Sequence, residues 1–316
     1  MTSGELKHQP LLFDCDPGID DAFALMCAFK YANVATITTV SGNVSLANTT
    51  RNARYLVELA DRSVPIHRGA KGPLHVEREL ADDIHGQSGL GLIDVGEPDI
   101  VEHPTDATTA IVDHCASDGA VIIATGPLTN IAHALQADPS IADRIGHLYW
   151  MGGSTKGGNV TDRAEFNAWA DPHAADITLR SSIPLTMFGL NLTHQVRLGK
   201  PAIDHLTHAG TTTARLFADL LRFYWDHGRQ DPAGQPVHDA CALLGFTHPA
   251  LFDTIEANIV AHTTNDERRG MTETTSTSDS TATHRVARAA DRAHVIELIL
   301  EAAIDPSLEV GAAVNE

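Results

Sequence analysis

Four carboxylates crowd into eight residues at Asp14-Cys15-Asp16-Pro17-Gly18-Ile19-Asp20-Asp21, directly after the apolar run Leu11-Leu12-Phe13. Mutual repulsion makes such a cluster costly without a counter-ion, and several oxygens from one tight turn suit a hard divalent cation. If the apolar run is a strand, alternation sends Asp14 and Asp16 to one side. Pro17-Gly18 then ends the strand, and a helix begins with Asp20 and Asp21 in its first turn. A helix dipole accounts for acids in a first turn but not for those upstream of Pro17. Asp16, Asp20 and Asp21 are therefore expected to converge at a carboxyl strand end, where open α/β sheets bind ligands.

Polar residues recur at the ends of the other strand-like runs. Asn43 follows residues 34–40, Thr125 follows 120–124, and Asn159, Glu165 and Asn167 follow 147–151, while His238-Asp239 opens a late helix. Four or five acids with two or three amides and a backbone carbonyl would make a Ca²⁺ site with groups left over for a polyhydroxyl ligand. Mg²⁺ suits it less, since that ion keeps its waters and leans on phosphate, and no phosphate-binding Gly-Lys loop is present.

The elements that must position these groups follow from periodicity. Residues 22–29 are apolar nearly all round, which predicts a buried helix. Amphipathic spacing predicts further helices at 46–59, 105–116 and 172–179, and a further strand at 183–188. Helices are also expected at 200–208, 211–225, 238–244 and 291–303, with a strand near 255–261. The alternation predicts one α/β domain over residues 1–316, built on a mainly parallel, doubly wound sheet with helices on both faces. Residues 71–103 read as a long loop, and loops of that length in compact domains are usually functional. Thr-rich residues 272–283 read as an exposed hairpin turning at Ser278-Asp279-Ser280.

A chain of 316 residues with 43% hydrophobic content has ample material for a core. The net charge of −19 opposes nucleic-acid or membrane-surface partners, which need clustered Lys and Arg. No apolar stretch approaches the roughly 18 residues of a spanning helix, and residues 1–10 lack a signal-peptide core. A cytoplasmic enzyme is expected. The 4 cysteines are dispersed without C-x-x-C spacing, as reduced core residues would be.

Asp14-Cys15-Asp16-Pro17-Gly18-Ile19-Asp20-Asp21, Thr39-Val40-Ser41-Gly42-Asn43, Ile84-His85-Gly86, Thr125-Gly126-Pro127-Leu128-Thr129-Asn130, Met151-Gly152-Gly153, Ala164-Glu165-Phe166-Asn167 and His238-Asp239 follow one another across nearly the whole chain. In this set the chain resembles the inosine/uridine-preferring nucleoside hydrolases. The resemblance implies Ca²⁺-dependent hydrolysis of the N-glycosidic bond of ribonucleosides by a homodimer or homotetramer. By it, Asp16, Asp20, Asp21 and Asp239, with the Thr125 carbonyl, match the Ca²⁺ ligands, and Asp16 also matches the general base. Asn43, Asn159, Glu165 and Asn167 match ribose contacts, with Asp20 and Asp239 also assigned to substrate and Phe166 packing on the sugar. His238 matches the leaving-group acid and His85 a residue beside the base. A mobile base-contacting helix is implied around residues 223–229, and base preference stays open.

The chemistry suits these parts. Cleaving a ribosyl C–N bond builds positive charge on the sugar, which an anionic pocket stabilises. Ca²⁺ would clamp the ribose hydroxyls and hold the attacking water that Asp16 deprotonates, while His238 relieves charge on the base. Two rivals are weighed. Mg²⁺-dependent phosphatases of the haloacid-dehalogenase type also open with D-x-D after a strand, but Gly18 stands where that pattern wants Thr or Val, and Asp20-Asp21 is foreign to it. A catalytically inactive nucleoside-binding protein on the same fold is opposed by the presence of both Asp16 and His238.

Overall fold

The computed structural model describes residues 8–227, 231–276 and 284–308. Its strands are β1 (Pro10–Cys15), β2 (Asn33–Thr39), β3 (Ile66–Arg68), β4 (Ala120–Ala124), β5 (Ile145–Met151), β6 (Leu185–Phe188), β7 (Arg197–Leu198), β8 (Gln235–Pro236), β9 (Phe252–Ala261), β10 (Thr272–Ser276) and β11 (His284–Ala290). Nine of them form one sheet in the order β10-β9-β11-β6-β5-β4-β1-β2-β3, and β7 and β8 form a separate ribbon. Pairing is parallel from β3 across to β11 and antiparallel at the β11-β9-β10 end. This is the expected mainly parallel sheet. From β1 the chain proceeds outward through β2 and β3, and from β4 it proceeds the other way. The carboxyl ends of β1 and β4 therefore flank a topological switch point, where a crevice opens.

The central strands are apolar on both faces because both faces are covered. Leu11, Phe13 and Cys15 of β1 join one core with the helices Ile19–Tyr31, Thr212–His227, Ala240–Thr247 and Arg292–Ala303. Leu12 joins the other, beneath Ala107–His114, Thr129–Ala137 and Pro172–Leu179. Every residue of Ile19–Tyr31 except Lys30 is buried, as the apolar run of residues 22–29 requires, and Asp20 and Asp21 are buried with it in the first turn. Cys15, Cys27, Cys115 and Cys241 are buried and free. No helix among the described residues is long and apolar enough to cross a membrane.

One expectation is corrected. Asp14 does not share a side with Asp16. As a strand residue it has the parity of Leu12 and lies beneath Thr129–Ala137, where its Oδ1 accepts from Asn130 Nδ2 at 2.7 Å and from Thr38 Oγ1 at 2.6 Å. The strand ends at Cys15, so alternation does not carry through to Asp16. Of the Thr-rich segment expected as a hairpin, only the first strand falls on described residues. Its strand Thr272–Ser276 pairs with β9, and β9 lies between it and β11. Buried Val286 and Ala287 suit β11 to the inner position, while a polar strand suits the exposed edge. Ser278, Asp279 and Ser280 lie outside the described residues.

Candidate active site

A cavity of about 580 Å³ opens at the switch point, walled among others by Asp20, Asn43, His85, Thr125, Asn159, Glu165, Phe166, Asn167, His238 and Asp239. That volume suits a small organic ligand. One carboxylate oxygen from each of Asp20, Asp21 and Asp239 lies within 4.8 Å of the others. Among the described residues no Lys or Arg stands within ion-pair distance of these acids, and His85 Nδ1 is 4.0 Å from Asp20 Oδ1. Burial pushes Asp16, Asp20, Asp21 and Asp239 above the ordinary carboxylate range. The charges of neighbouring carboxylates add to the effect at Asp16, Asp21 and Asp239. Asp16 Oδ1 and Asp20 Oδ1 are buried without a hydrogen-bond partner. A divalent cation answers each of these costs, since it neutralises the repulsion and coordinates the orphaned oxygens. The donor set therefore fits a hard metal ion.

Asp21 also serves its helix, for Oδ2 accepts the Gly18 N–H at 3.0 Å while Oδ1 accepts from Thr125 Oγ1 at 2.8 Å. Asp16 lies just past β1, and its Oδ2 accepts the Asn43 N–H at 2.7 Å. Two glycines make room for it. A Cβ at Gly42 would stand 2.0 Å from Asp16 Oδ2, and one at Gly126 would stand 2.7 Å from Oδ1. Only a residue without a side chain permits that approach.

The amide groups have definite orientations. Asn43 Nδ2 donates to Asp16 O at 3.1 Å and to Asp21 Oδ2 at 3.0 Å. Asn167 Nδ2 donates to Thr125 O at 2.7 Å and Met151 O at 3.0 Å. Both N–H bonds of each amide are thus occupied, which leaves Oδ1 as the atom able to accept from a ligand hydroxyl. The Thr125 carbonyl keeps a second lone pair for a metal. Glu165 caps the helix Phe166–Ala170, its carboxylate accepting N–H bonds from Gly153 at 2.7 Å, Asn167 at 2.9 Å and Ala168 at 3.1 Å. Burial nonetheless pushes it up to about 7. Asn159 is exposed and accepts the Phe166 N–H at 2.9 Å.

The long loop brings His85 over the acids because the helix Leu46–Leu59 holds it down. Asn52 Nδ2 donates to Pro17 O at 2.9 Å and Ser88 O at 2.8 Å. Arg54 pairs with Glu97 at 2.7 Å and donates to Pro98 O at 2.7 Å. The Ile19 N–H donates to His85 Nδ1 at 3.1 Å, so the ring proton sits on Nε2. Burial pushes His85 down to about 4 and His238 down to about 3, with His194 adding to the effect on His238. Both are neutral imidazoles at pH 7. His238 Nδ1 is 2.7 Å from Thr193 Oγ1, which leaves Nε2 to address a ligand.

The cavity also recruits residues that sequence reasoning passed over, Trp169, His194, Arg197 and Gln235, together with Tyr224 of the implied base-contacting helix. The Tyr224 ring lies 6.0 Å from that of His85. It belongs to the stretch 223–229, whose residues 228 and 229 lie outside the described residues. The signal for Thr193 and His194 was present, since they are polar residues just beyond β6. Trp169 carries no such mark, because an aromatic in a helix reads as core.

A family model described as inosine-uridine preferring nucleoside hydrolase matches residues 11–297. The pyrimidine-specific ribonucleoside hydrolase RihA of Photobacterium profundum is 36% identical over 273 residues, covering 84% of this chain and 88% of that protein. Among solved structures, a purine-preferring ribonucleoside hydrolase from Gardnerella vaginalis superposes with a TM-score of 0.88 at 29% identity, covering 94% of this chain and 98% of its own. The plant nucleoside hydrolase PpNRh1 superposes with a TM-score of 0.88 at 28% identity, over 94% and 99%. The chain belongs to the inosine-uridine preferring nucleoside hydrolase family and is a nucleoside hydrolase.

Proposed function

We propose that the protein hydrolyses the N-glycosidic bond of pyrimidine and purine ribonucleosides to free base and ribose, with Ca²⁺ as its cofactor. The observation that carries this reading is the convergence of buried carboxylates beneath a cavity lined by hydroxyl-accepting amides and neutral imidazoles. The reading extends to a cytoplasmic homodimer or homotetramer folded as one domain over residues 1–316.

Asp16, Asp20, Asp21, Asp239 and the Thr125 carbonyl would hold the ion, which when bound supplies positive charge that polarises the oxygens it touches. Asp20, Asp239, Asn43, Asn159, Glu165 and Asn167 bind the ribose, and Phe166 packs on it. Asp16 takes a proton from the attacking water, whose oxygen bonds to C1′ as the C1′–N bond breaks and its electron pair passes to the base. The acids stabilise the positive charge that develops on the sugar. His85 and His238 donate hydrogen bonds to the departing base. Their neutrality makes this donation rather than transfer from an imidazolium. The base anion, held by these hydrogen bonds, takes its proton from solvent, and Asp16 returns to solvent the proton it took from water, so the overall step balances.

Exhaustive chelation is expected to abolish ribose release and lower the Tm. Ca²⁺ at a hundred times its Kd contributes about 2.7 kcal/mol, a rise of several degrees in Tm for a chain of this size. Full ribose release from a demonstrably metal-free sample refutes the metal assignment. Gly42→Ala is expected to displace the Asp16 carboxylate and lower kcat on the order of 10²-fold, with a smaller change in KM. Steady-state kinetics beside a melting curve checks it, and an unchanged kcat means that the Asp16 position is not critical.

A further inference from the structure

Arg197 is the only Lys or Arg among the described residues lining the cavity. Its Nε donates to His194 O at 2.8 Å, and its Nη1 donates to Asp231 Oδ2 and Gly234 O, each at 3.0 Å. Nη2 makes no hydrogen bond to a described residue. Arg197 lies on the β7–β8 ribbon opposite Pro236, two residues before His238, and the His194 ring is 5.6 Å from that of His238. One rigid frame thus holds the guanidinium and the imidazole proposed to address the leaving base.

A brace for a two-stranded ribbon needs Nε and Nη1 only. The third nitrogen is unexplained by that duty. Electrostatics decides where it can act. A fixed cation beside the sugar would oppose the positive charge developing there, whereas at the leaving-group end it opposes nothing and stabilises the electron pair that the base takes away. A guanidinium has donors and no acceptor, so it pairs with an exocyclic oxygen and rejects an exocyclic amino group. Resting on the nucleoside hydrolase reading, we propose that Arg197 is a specificity-determining residue whose Nη2 donates to the departing base at the exocyclic position that is oxo in uridine and inosine and amino in cytidine and adenosine, favouring the oxo member of each pair.

Uridine and cytidine, and inosine and adenosine, differ at one such position. The test is kcat/KM on these four substrates, read as free ribose. Arg197→Met keeps the apolar stem and removes the donors. It is expected to lower kcat/KM for uridine and inosine by about 10- to 100-fold, the size of a hydrogen bond from a charged group, and for cytidine and adenosine far less. Both oxo-to-amino ratios then fall by about tenfold or more. Arg197→Lys, which keeps charge and stem but loses the planar fork, is expected to lower the same ratios by less and serves where Arg197→Met does not fold. If Arg197 only braces the ribbon, all four substrates fall together, the ratios stay fixed, and the proposal is overturned. A wild-type protein that releases ribose from none of the four refutes the hydrolase reading itself, a different failure from fixed ratios in an active enzyme.

Discussion

Replacing Asp16 by Asn lowers kcat on the order of 10³-fold or more, because the substitution removes both a general base and a negative ligand to the cation. Asn is nearly isosteric, and its Oδ1 can still accept the Asn43 N–H that Asp16 takes at 2.7 Å. The cavity wall is therefore preserved, and KM changes less than kcat. Burial holds the Asp16 carboxyl well above its usual range, so a neutral amide there relieves a desolvation cost in the metal-free fold. The metal-free Tm of the variant is accordingly expected to equal or exceed that of the wild type. Kinetics and metal-free melting together separate lost chemistry from lost folding. A near-normal kcat moves the base to another group.

His238→Ala separates substrates by their leaving groups. A purine or pyrimidine anion leaves reluctantly and gains from a donor, whereas p-nitrophenolate leaves at neutral pH without one. The variant is expected to lose on the order of 10²-fold or more in kcat on natural nucleosides and much less on p-nitrophenyl riboside. Its partner Thr193 matters in the same sense, since it orients the imidazole. His85 can share the task and soften the loss, which the His85→Ala variant reveals on the same two substrates. Equal losses on both substrates mean that His238 positions the sugar or the metal instead.

The strand and helix pattern was legible because the core is periodic in the plain sense. Both-face burial leaves Leu11–Phe13 of β1 and all of β4 continuously apolar, and residues 22–29 have no polar residue to expose. Site residues were legible where chain direction alone puts them at a carboxyl strand end, as with Asn43, Thr125 and the β1 acids. What failed was parity beyond an element's end. Asp14 obeys the strand and turns to Asn130, while Asp16 stands outside it in a pocket that only Gly42 and Gly126 leave open. Strand partners were equally hidden, because Thr272–Ser276 has the composition of an edge but nothing local that names β9 as its neighbour. Arg197 escaped notice for a related reason. It sits in a two-residue strand whose partner lies far along the chain, and only the fold places it beside His238.

The most direct measurement of the central claim is the yield of free ribose when the Ca²⁺-loaded protein is incubated with uridine, cytidine, inosine, adenosine and guanosine. Ribose and free base should appear in equal amounts from at least one of them, over many turnovers, without added phosphate. Saturable binding of a nucleoside with no ribose released, under conditions where the metal is bound, would contradict it.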